Sequence, residues 1–216
     1  MTLRITTNVK KVVRRVKIEI RDSSVVVSGY VNAVERYSKV LNDRKGKFVE
    51  KIQAGAFQRA LERAKKTSYD VKVLLNHNYD RELTNTASAT TKLSEDSIGL
   101  KCTCEIRDAE VIEKAKQNKL VGWSFGFIAL KEDRTSNEDV QHRDVRELEL
   151  REVSILDDSK IPAYDGTSIE TRSEEIEDVI EVRMTNDEIE VVDNTTKQVS
   201  FDNHEWENRY MATRAN

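Results

Sequence analysis

Cysteine, proline and glycine are all scarce in this chain. Its 216 residues include two cysteines, one proline and seven glycines. Two cysteines exclude a disulfide scaffold, and with only three histidines they make a poor four-ligand metal site. The shortage of glycine argues against a large doubly wound nucleotide-binding fold, and neither GxxxxGK[ST] nor GxGxxG occurs. No metal or organic cofactor is therefore expected.

Long apolar runs are also absent. No run approaches the roughly 18 residues that a membrane-spanning helix needs, and the basic start MTLRITTNVKKVVRRVK lacks the apolar block of a secretory signal. The sequence therefore predicts a soluble protein made in the cytoplasm, without a membrane partner. Hydrophobic residues make up 38% of the chain and charged residues 35%, which predicts one compact core with highly solvated flanks.

Charge divides the chain into three parts. The first 22 residues hold seven Lys or Arg against two acidic residues, whereas residues 167–216 hold 13 acidic and five basic residues. We expect a basic N-terminal extension or edge strand over 1–22, a folded domain over 23–167, and an acidic, partly disordered tail over 168–216. The basic stretch has no aromatic side chain for base stacking, so nucleic-acid binding is a minor alternative.

Apolar spacing predicts mostly strands. Alternating or β-branched stretches cover 16–20, 24–31, 71–75, 87–93, 99–106, 120–130 and 147–156. Helical spacing marks 54–66, and Asp108 can cap a second helix that ends near 118. Strand mostly follows strand, which favours the α+β class: a mostly antiparallel β-barrel with two to three flanking helices.

One motif carries chemistry. Gly122, Ser124 and Gly126 spell G-W-S-F-G, the nucleophile-elbow pattern of the α/β-hydrolases. That elbow joins a strand to a helix, whereas the residues after Ser124 continue an extended pattern. The hydrolase order of Ser, acid and His would also need a late base, His142 or His204, and both lie in very polar segments.

His77 is the better candidate base. It follows an alternating strand, so packing can fix its position, whereas His142 lies in a charged segment predicted to be a loop or hairpin turn. A base needs an acceptor that orients its ring, and Glu152 lies in the apolar run LELREVSIL. Each residue also has a structural interpretation: a small packing serine, a hydrogen-bonded edge histidine and an outward-facing strand glutamate.

Five segments occur in an order that resembles a known family. They are VSGYVNAVERYS, FVEKIQAGAF, VKVLLNHNYD, KLVGWSFGF and LELREVSILDDSKIPAYDGT, and they mark a stretch from about Val25 to Thr167. This arrangement resembles the prohead maturation proteases of tailed bacteriophages, which are similar in fold to the herpesvirus capsid protease, assemblin. The resemblance covers the predicted core and neither flank.

The resemblance implies a serine endopeptidase over 23–167, with Ser124 as nucleophile, His77 as base and Glu152 as the residue that orients His77. In the herpesvirus enzymes a second histidine takes the third place. Expected substrates are scaffold or major capsid protein inside the immature capsid, or prohead, in the host cytoplasm. A homodimer, self-cleavage of the tail, and an oxyanion loop at 157–161 are further expectations.

Two alternatives lead to different experiments. A non-catalytic capsid assembly or scaffolding protein would use the acidic tail to bind basic partners, and Ser124 would be a packing residue. An esterase-like hydrolase would depend on a late histidine such as His142. Reaction of Ser124 with a fluorophosphonate separates the first alternative from a protease, and replacement of His77 and His142 in turn tests the second.

Overall fold

The computed structural model describes residues 15–43, 45–137, 140–160, 169–171, 180–184 and 188–196. The strands are β1 Arg15–Ile20, β2 Val25–Ala33, β3 Leu41–Asp43, β4 Gly46–Ile52, β5 Lys72–Leu75, β6 Asn78–Asn85, β7 Lys92–Glu95, β8 Gly99–Ile106, β9 Leu120–Asn137, β10 Val140–Asp157, β11 Ile169–Thr171, β12 Ile180–Met184 and β13 Glu188–Asp193. The helices are α1 Ala56–Lys66, α2 Ala109–Lys116 and a short 3₁₀ helix, Asp158–Lys160.

The strands form two sheets. The five-stranded sheet has the order β13-β1-β2-β8-β7, and the eight-stranded sheet has the path β11-β12-β9-β10-β4-β3, with β5 and β6 branching from β10. Most pairs are antiparallel, but β1 with β13, and β10 with both β4 and β5, are parallel. Within the described ranges no closed barrel forms, because the two sheets share no hydrogen-bonded strand pair. The expected barrel is therefore not found, although the α+β class is.

Both sheets and both helices contribute to one hydrophobic core. The alternation in β2 is complete: every second residue from Val25 to Ala33 is buried, as a strand with one face on the core requires. In α1 the buried residues are Ala56, Phe57 and Ala60. Neither α-helix in the described part of the chain is long and apolar enough to cross a membrane.

Both α-helices start where a carboxylate meets free backbone N–H groups. The side chain of Asp108 accepts a hydrogen bond from the Val111 N–H, as predicted for an N-cap. The start of α1 has no local cap. Instead Glu95 in β7 accepts hydrogen bonds from the N–H groups of Gly55 and Gln58, at 2.6 and 2.7 Å. This contact links α1 to the five-stranded sheet.

The flanks contribute strands that the sequence places outside the folded domain. β1 lies between β2 and β13, and Val16, Ile18 and Ile20 are buried in the core. β11, β12 and β13 fall within the predicted tail, and each pairs with another strand. Residues 1–14, 168, 172–179, 185–187 and 197–216 lie outside the described residues, and the division into extension, domain and tail stays a prediction.

Candidate active site

His77 lies in a two-residue turn between β5 and β6. Leu75 and Asn78 are paired, and the two residues between them have left-handed backbones, with φ 56° at Asn76 and 60° at His77. Two such residues in succession are typical of a type I′ turn, and Asn and His enter the left-handed region more readily than most side chains. The hairpin therefore places the His77 ring at its tip.

The end of β10 holds this turn in place through three hydrogen bonds. The Asn76 N–H donates to the carbonyl oxygen of Ile155 at 2.9 Å, and the Asn76 side-chain oxygen accepts from the Asp157 N–H at 3.0 Å. The His77 N–H donates to the hydroxyl oxygen of Ser154 at 3.1 Å. His77 therefore has a fixed backbone position relative to β10.

Glu152 meets the His77 ring. Its Oε1 lies 2.8 Å from Nδ1, and its Oε2 accepts a hydrogen bond from the Ser154 hydroxyl at 2.5 Å. The glutamate is only 1% exposed, so these partners replace the water that a carboxylate loses on burial. A carboxylate at Oε1 favours the tautomer with the proton on Nδ1, which leaves Nε2 as an acceptor.

Because Gly126 has no side chain, the Glu152 carboxylate can occupy the space next to it. The two residues are paired across β9 and β10. A Cβ at position 126 would lie 2.5 Å from Oε1 of Glu152 and 3.1 Å from the side chain of Ile180. The absence of a side chain at this position is therefore a requirement for the carboxylate to be where it is.

Ser124 lies on the same face, paired with Ser154 of β10. It is fully buried, and its hydroxyl donates to the main-chain oxygen of Arg183 at 2.7 Å. The buried Nε2 of His77 has no hydrogen-bond partner among the described residues. The structure therefore places Ser124 on β9 and His77 after β5, the two strands that flank the end of β10, but the serine hydroxyl is bonded to β12 instead of to the imidazole.

A buried ion-pair network holds β12 against the site. Arg183 donates to both oxygens of Glu50, at 2.8 and 2.9 Å, and to Glu181 at 2.6 Å. Arg143 bridges Glu50 and Glu181. Burial raises the pKa of Glu181, but Arg143 and Arg183 outweigh it and lower the pKa overall. Glu50 and both arginines are at most 7% exposed, so removal of one partner would leave a buried charge uncompensated.

The end of β10 is held by a second ion pair. Asp157 lies 2.5 Å from the ammonium of Lys114 in α2 and also accepts from the Ser159 hydroxyl. Burial raises the pKa of Asp157, but these hydrogen bonds outweigh it and lower the pKa to about 2. The N–H groups of residues 157, 158 and 159 bond to protein acceptors, which does not favour them as oxyanion donors. Ile161 lies outside the described residues.

The comparison with protein families gives one match. A family model described as caudovirus prohead serine protease matches residues 12–181. The chain belongs to this family. The match covers most of the chain and includes Ser124, His77 and Glu152. No curated protein and no solved structure matches the chain.

Ser124 does not lie in the elbow that its GxSxG motif would mark in an α/β-hydrolase. Ser124 lies inside the long strand β9, with no strand-to-helix turn. His142 was predicted to lie in a loop or hairpin turn, but it lies within β10, two residues after the start of that strand, paired with Thr135 of β9 and in edge contact with the ring of Tyr37. Thr135 is eleven residues along β9 from Ser124, or about 35 Å of strand. His204 lies outside the described residues.

The two cysteines lie in the five-stranded sheet, away from the strands that carry Ser124 and Glu152. Cys102 and Cys104 are both free and fully buried in β8, where burial raises the pKa of the Cys102 thiol. In the part of the chain that the structure describes, no three His, Cys, Asp or Glu residues are grouped to hold a metal ion.

Sequence reasoning did not predict the roles of Ser154, Gly126 and Arg183 in the site geometry. Ser154 had a signal, since it lies two residues from Glu152 on an alternating strand and therefore on the same face. Gly126 had a weaker one, as a glycine in the middle of a strand often marks a close approach. No sequence signal indicated Arg183, because its place in the site depends on a hydrogen bond with Ser124, which lies 59 residues earlier in the chain.

Proposed function

We propose that this chain is the serine endopeptidase that cleaves scaffold or capsid protein inside the phage prohead during head maturation. Ser124 is the nucleophile, His77 the general base and Glu152 the residue that orients His77. The contact between the buried Glu152 carboxylate and Nδ1 of His77, at 2.8 Å, carries the proposal. It leaves Nε2 as an acceptor.

The reaction follows from these positions. Nε2 of His77 takes the proton from the Ser124 hydroxyl as the oxygen attacks the scissile carbonyl, and the imidazolium then protonates the departing amine. Water, deprotonated by the same ring, releases the acid and restores Ser124. Glu152 stabilises the imidazolium through a charge-assisted hydrogen bond. No metal or organic cofactor takes part.

Hydrolysis also requires a change at β12. In this arrangement Ser124 is 0% exposed and its hydroxyl is donated to Arg183, so a substrate carbonyl cannot reach it. We propose that β12 leaves β9 before cleavage and that the serine hydroxyl then turns to His77. The proposed partners are the scaffold or major capsid protein as substrate and, by the family resemblance, a second copy of the chain.

Co-expression with the capsid protein of the same phage tests the proposal. We expect Ser124→Ala to abolish cleavage of the shell protein and any self-trimming, as followed by intact-mass spectrometry, while the protein stays folded. Ser24→Ala is the matched control, because Ser24 is another buried serine and lies in the turn between β1 and β2 of the five-stranded sheet. Continued processing by Ser124→Ala would contradict the mechanism.

A fluorophosphonate probe separates the protease from a non-catalytic assembly protein. An activated serine reacts covalently with the probe and a packing serine does not. We expect adducts on Ser124, which His77→Ala abolishes and His142→Ala leaves unchanged. The non-catalytic alternative, which the buried and hydrogen-bonded state of Ser124 favours, predicts that no serine is labelled even when shell protein is assembling.

A further inference from the structure

Ser154 lies between Glu152 and His77, the proposed base. It belongs to the central strand β10, where it pairs with Ser124 of β9 on one side and with Leu74 of β5 on the other. It is fully buried. Its hydroxyl contacts both the carboxylate of Glu152 and the backbone of His77, at 2.5 and 3.1 Å.

The direction of these hydrogen bonds is fixed by their chemistry. The His77 N–H can only donate, so the Ser154 oxygen accepts from it, and the single Ser154 proton is then available for Glu152. The chain runs from the His77 N–H through the Ser154 hydroxyl to Oε2 of Glu152. Such chained bonds strengthen one another in a water-free interior.

We propose that Ser154 is a positioning residue for the proposed protease reaction: its hydroxyl fixes both the Glu152 carboxylate and the His77 backbone, and thereby keeps the proton on Nδ1 of the imidazole. The inference rests on the proposed function of Ser124, His77 and Glu152. It assigns Ser154 no contact with substrate.

The geometry also distinguishes Ser154 from a nucleophile. Its proton points to a carboxylate, and its oxygen contacts the main-chain nitrogen of His77, not the ring. A nucleophilic serine must give its proton to the base during attack. Ser124 has the more suitable position, because its hydroxyl donates to a main-chain oxygen of the neighbouring strand β12 and not to a carboxylate.

Three substitutions test the inference. Ser154→Ala removes both hydrogen bonds and leaves the buried Oε2 and the His77 N–H without this partner. Ser154→Thr keeps the hydroxyl. Ser24→Ala is the control, since Ser24 is a buried serine in the turn between β1 and β2, where its hydrogen bond to Glu105 of β8 lowers the pKa of that carboxyl.

The first measurement is steady-state hydrolysis of a peptide from a mapped shell-protein cleavage site. We expect Ser154→Ala to lower kcat by about 10- to 100-fold, which is typical of a misplaced catalytic group, with KM changed less than about 3-fold. Ser154→Thr should recover most of kcat, and Ser24→Ala should match the parent. If Ser154→Ala does not fold, Ser154→Cys takes its place, because its thiol fills the site but is a weak donor.

The second measurement does not depend on activity. Labelling with ¹⁵N-histidine gives signals from only three residues, and His77→Ala assigns the one of interest. We expect the Nδ1 proton of His77 to be visible and slow to exchange in the parent and in Ser154→Thr, and to exchange rapidly or disappear in Ser154→Ala. A serine that only filled space would leave this signal unchanged.

The outcomes separate the two proposals. Unchanged kcat and an unchanged Nδ1 signal in Ser154→Ala would overturn the positioning role, while an inactive Ser124→Ala would still support the protease. A fluorophosphonate adduct on Ser154 would also overturn it. If Ser124→Ala retains activity, the proposed function fails, and the Nδ1 signal alone then decides whether Ser154 orders the ring.

Discussion

Gly126→Ala should disable the protease through a contact with Glu152. The added Cβ would lie 2.5 Å from Oε1, the oxygen that contacts His77. Ordinary contact begins near 3.4 Å, so the carboxylate must move by about 1 Å. The strand itself has little freedom to move away, because β9 pairs with β10 from Leu120 to Asn137.

The expected loss can be estimated from this displacement. A shift of about 1 Å at a catalytic group can cost on the order of 100-fold in rate, so we expect kcat to fall by roughly that factor. Overpacking a filled core costs about 1–3 kcal/mol of folding free energy. The variant should therefore remain folded but lose most of its activity. Peptide hydrolysis and chemical denaturation measure the two effects separately.

Gly46→Ala is a suitable control for lost stability. Its φ is +110°, which strains a residue with a Cβ, yet nothing lies within 4 Å of the added atom. The strain should cost about 1–3 kcal/mol, similar to the cost at position 126, while the site stays intact. A contact between the added Cβ and Glu152 does not control activity if Gly126→Ala keeps more than a third of the parent kcat, or if Gly46→Ala loses as much activity as Gly126→Ala.

Two further predictions concern β12 and pH. Arg183→Ala removes the side chain that pins β12 to Glu50, so fluorophosphonate labelling of Ser124 should accelerate by about 10-fold or more. A rate equal to that of the parent, or of the surface control Arg81→Ala, would show that β12 does not shield the serine. Asp157 has its pKa lowered to about 2, so its stabilisation is present above about pH 4 and is lost as the pH falls towards 2. Denaturation should therefore show the gap between the parent and Asp157→Asn shrinking over that range, and a constant gap would contradict the assignment.

Local patterns predicted most of the elements. The strand at 16–20, the helix at 54–66 and the Asp108 cap all depend on residues near one another in sequence, and the structure confirms them. The stretch 87–93 was predicted as one strand, but only its end belongs to β7, and the residues before it form a turn. Alternation there was weak because small Ser, Thr and Ala side chains fit either state.

Local sequence patterns could not predict whether the strands close into a barrel. A barrel needs a hydrogen-bonded link between the first and last strands, and no periodicity within a strand specifies which edge it will meet. The long hairpin of β9 and β10 was also predicted too short. Its outer half carries charged residues on both strands, such as Glu132 and Arg143, which pair with one another and are partly buried. The many charged residues of this segment indicated a loop. In the structure, ion pairs between charged residues of β9 and β10 stabilise the two strands instead.

The contact of His77 with Glu152 was predicted from sequence, whereas the state of Ser124 was not. His77 and Glu152 are 75 residues apart and meet because β5 and β10 pair in parallel with Glu152 beside Lys72. A strand ending in a histidine and another with a buried acid were enough to suggest the contact. The Ser124 hydroxyl donates to the main-chain oxygen of Arg183. This hydrogen bond depends on the position of β12, whose acidic sequence resembles a solvated tail.

The central position of β10 explains how a buried acid can be kept next to a base. Its inner residues pair with β9, and its last residues also pair with β5, so the strands that carry Ser124 and His77 both take their register from it. A one-residue slip of either partner would turn the facing side chains to the opposite face of the sheet. Glu152 and Ser154, two residues apart, stay on the site face under any such slip, but their partners would not. The relative positions of the site residues therefore depend on the register of β10 with β9 and β5. The hydrogen bonds of Asn76 to Ile155 and Asp157 fix the register with β5 at the start of the turn that carries His77.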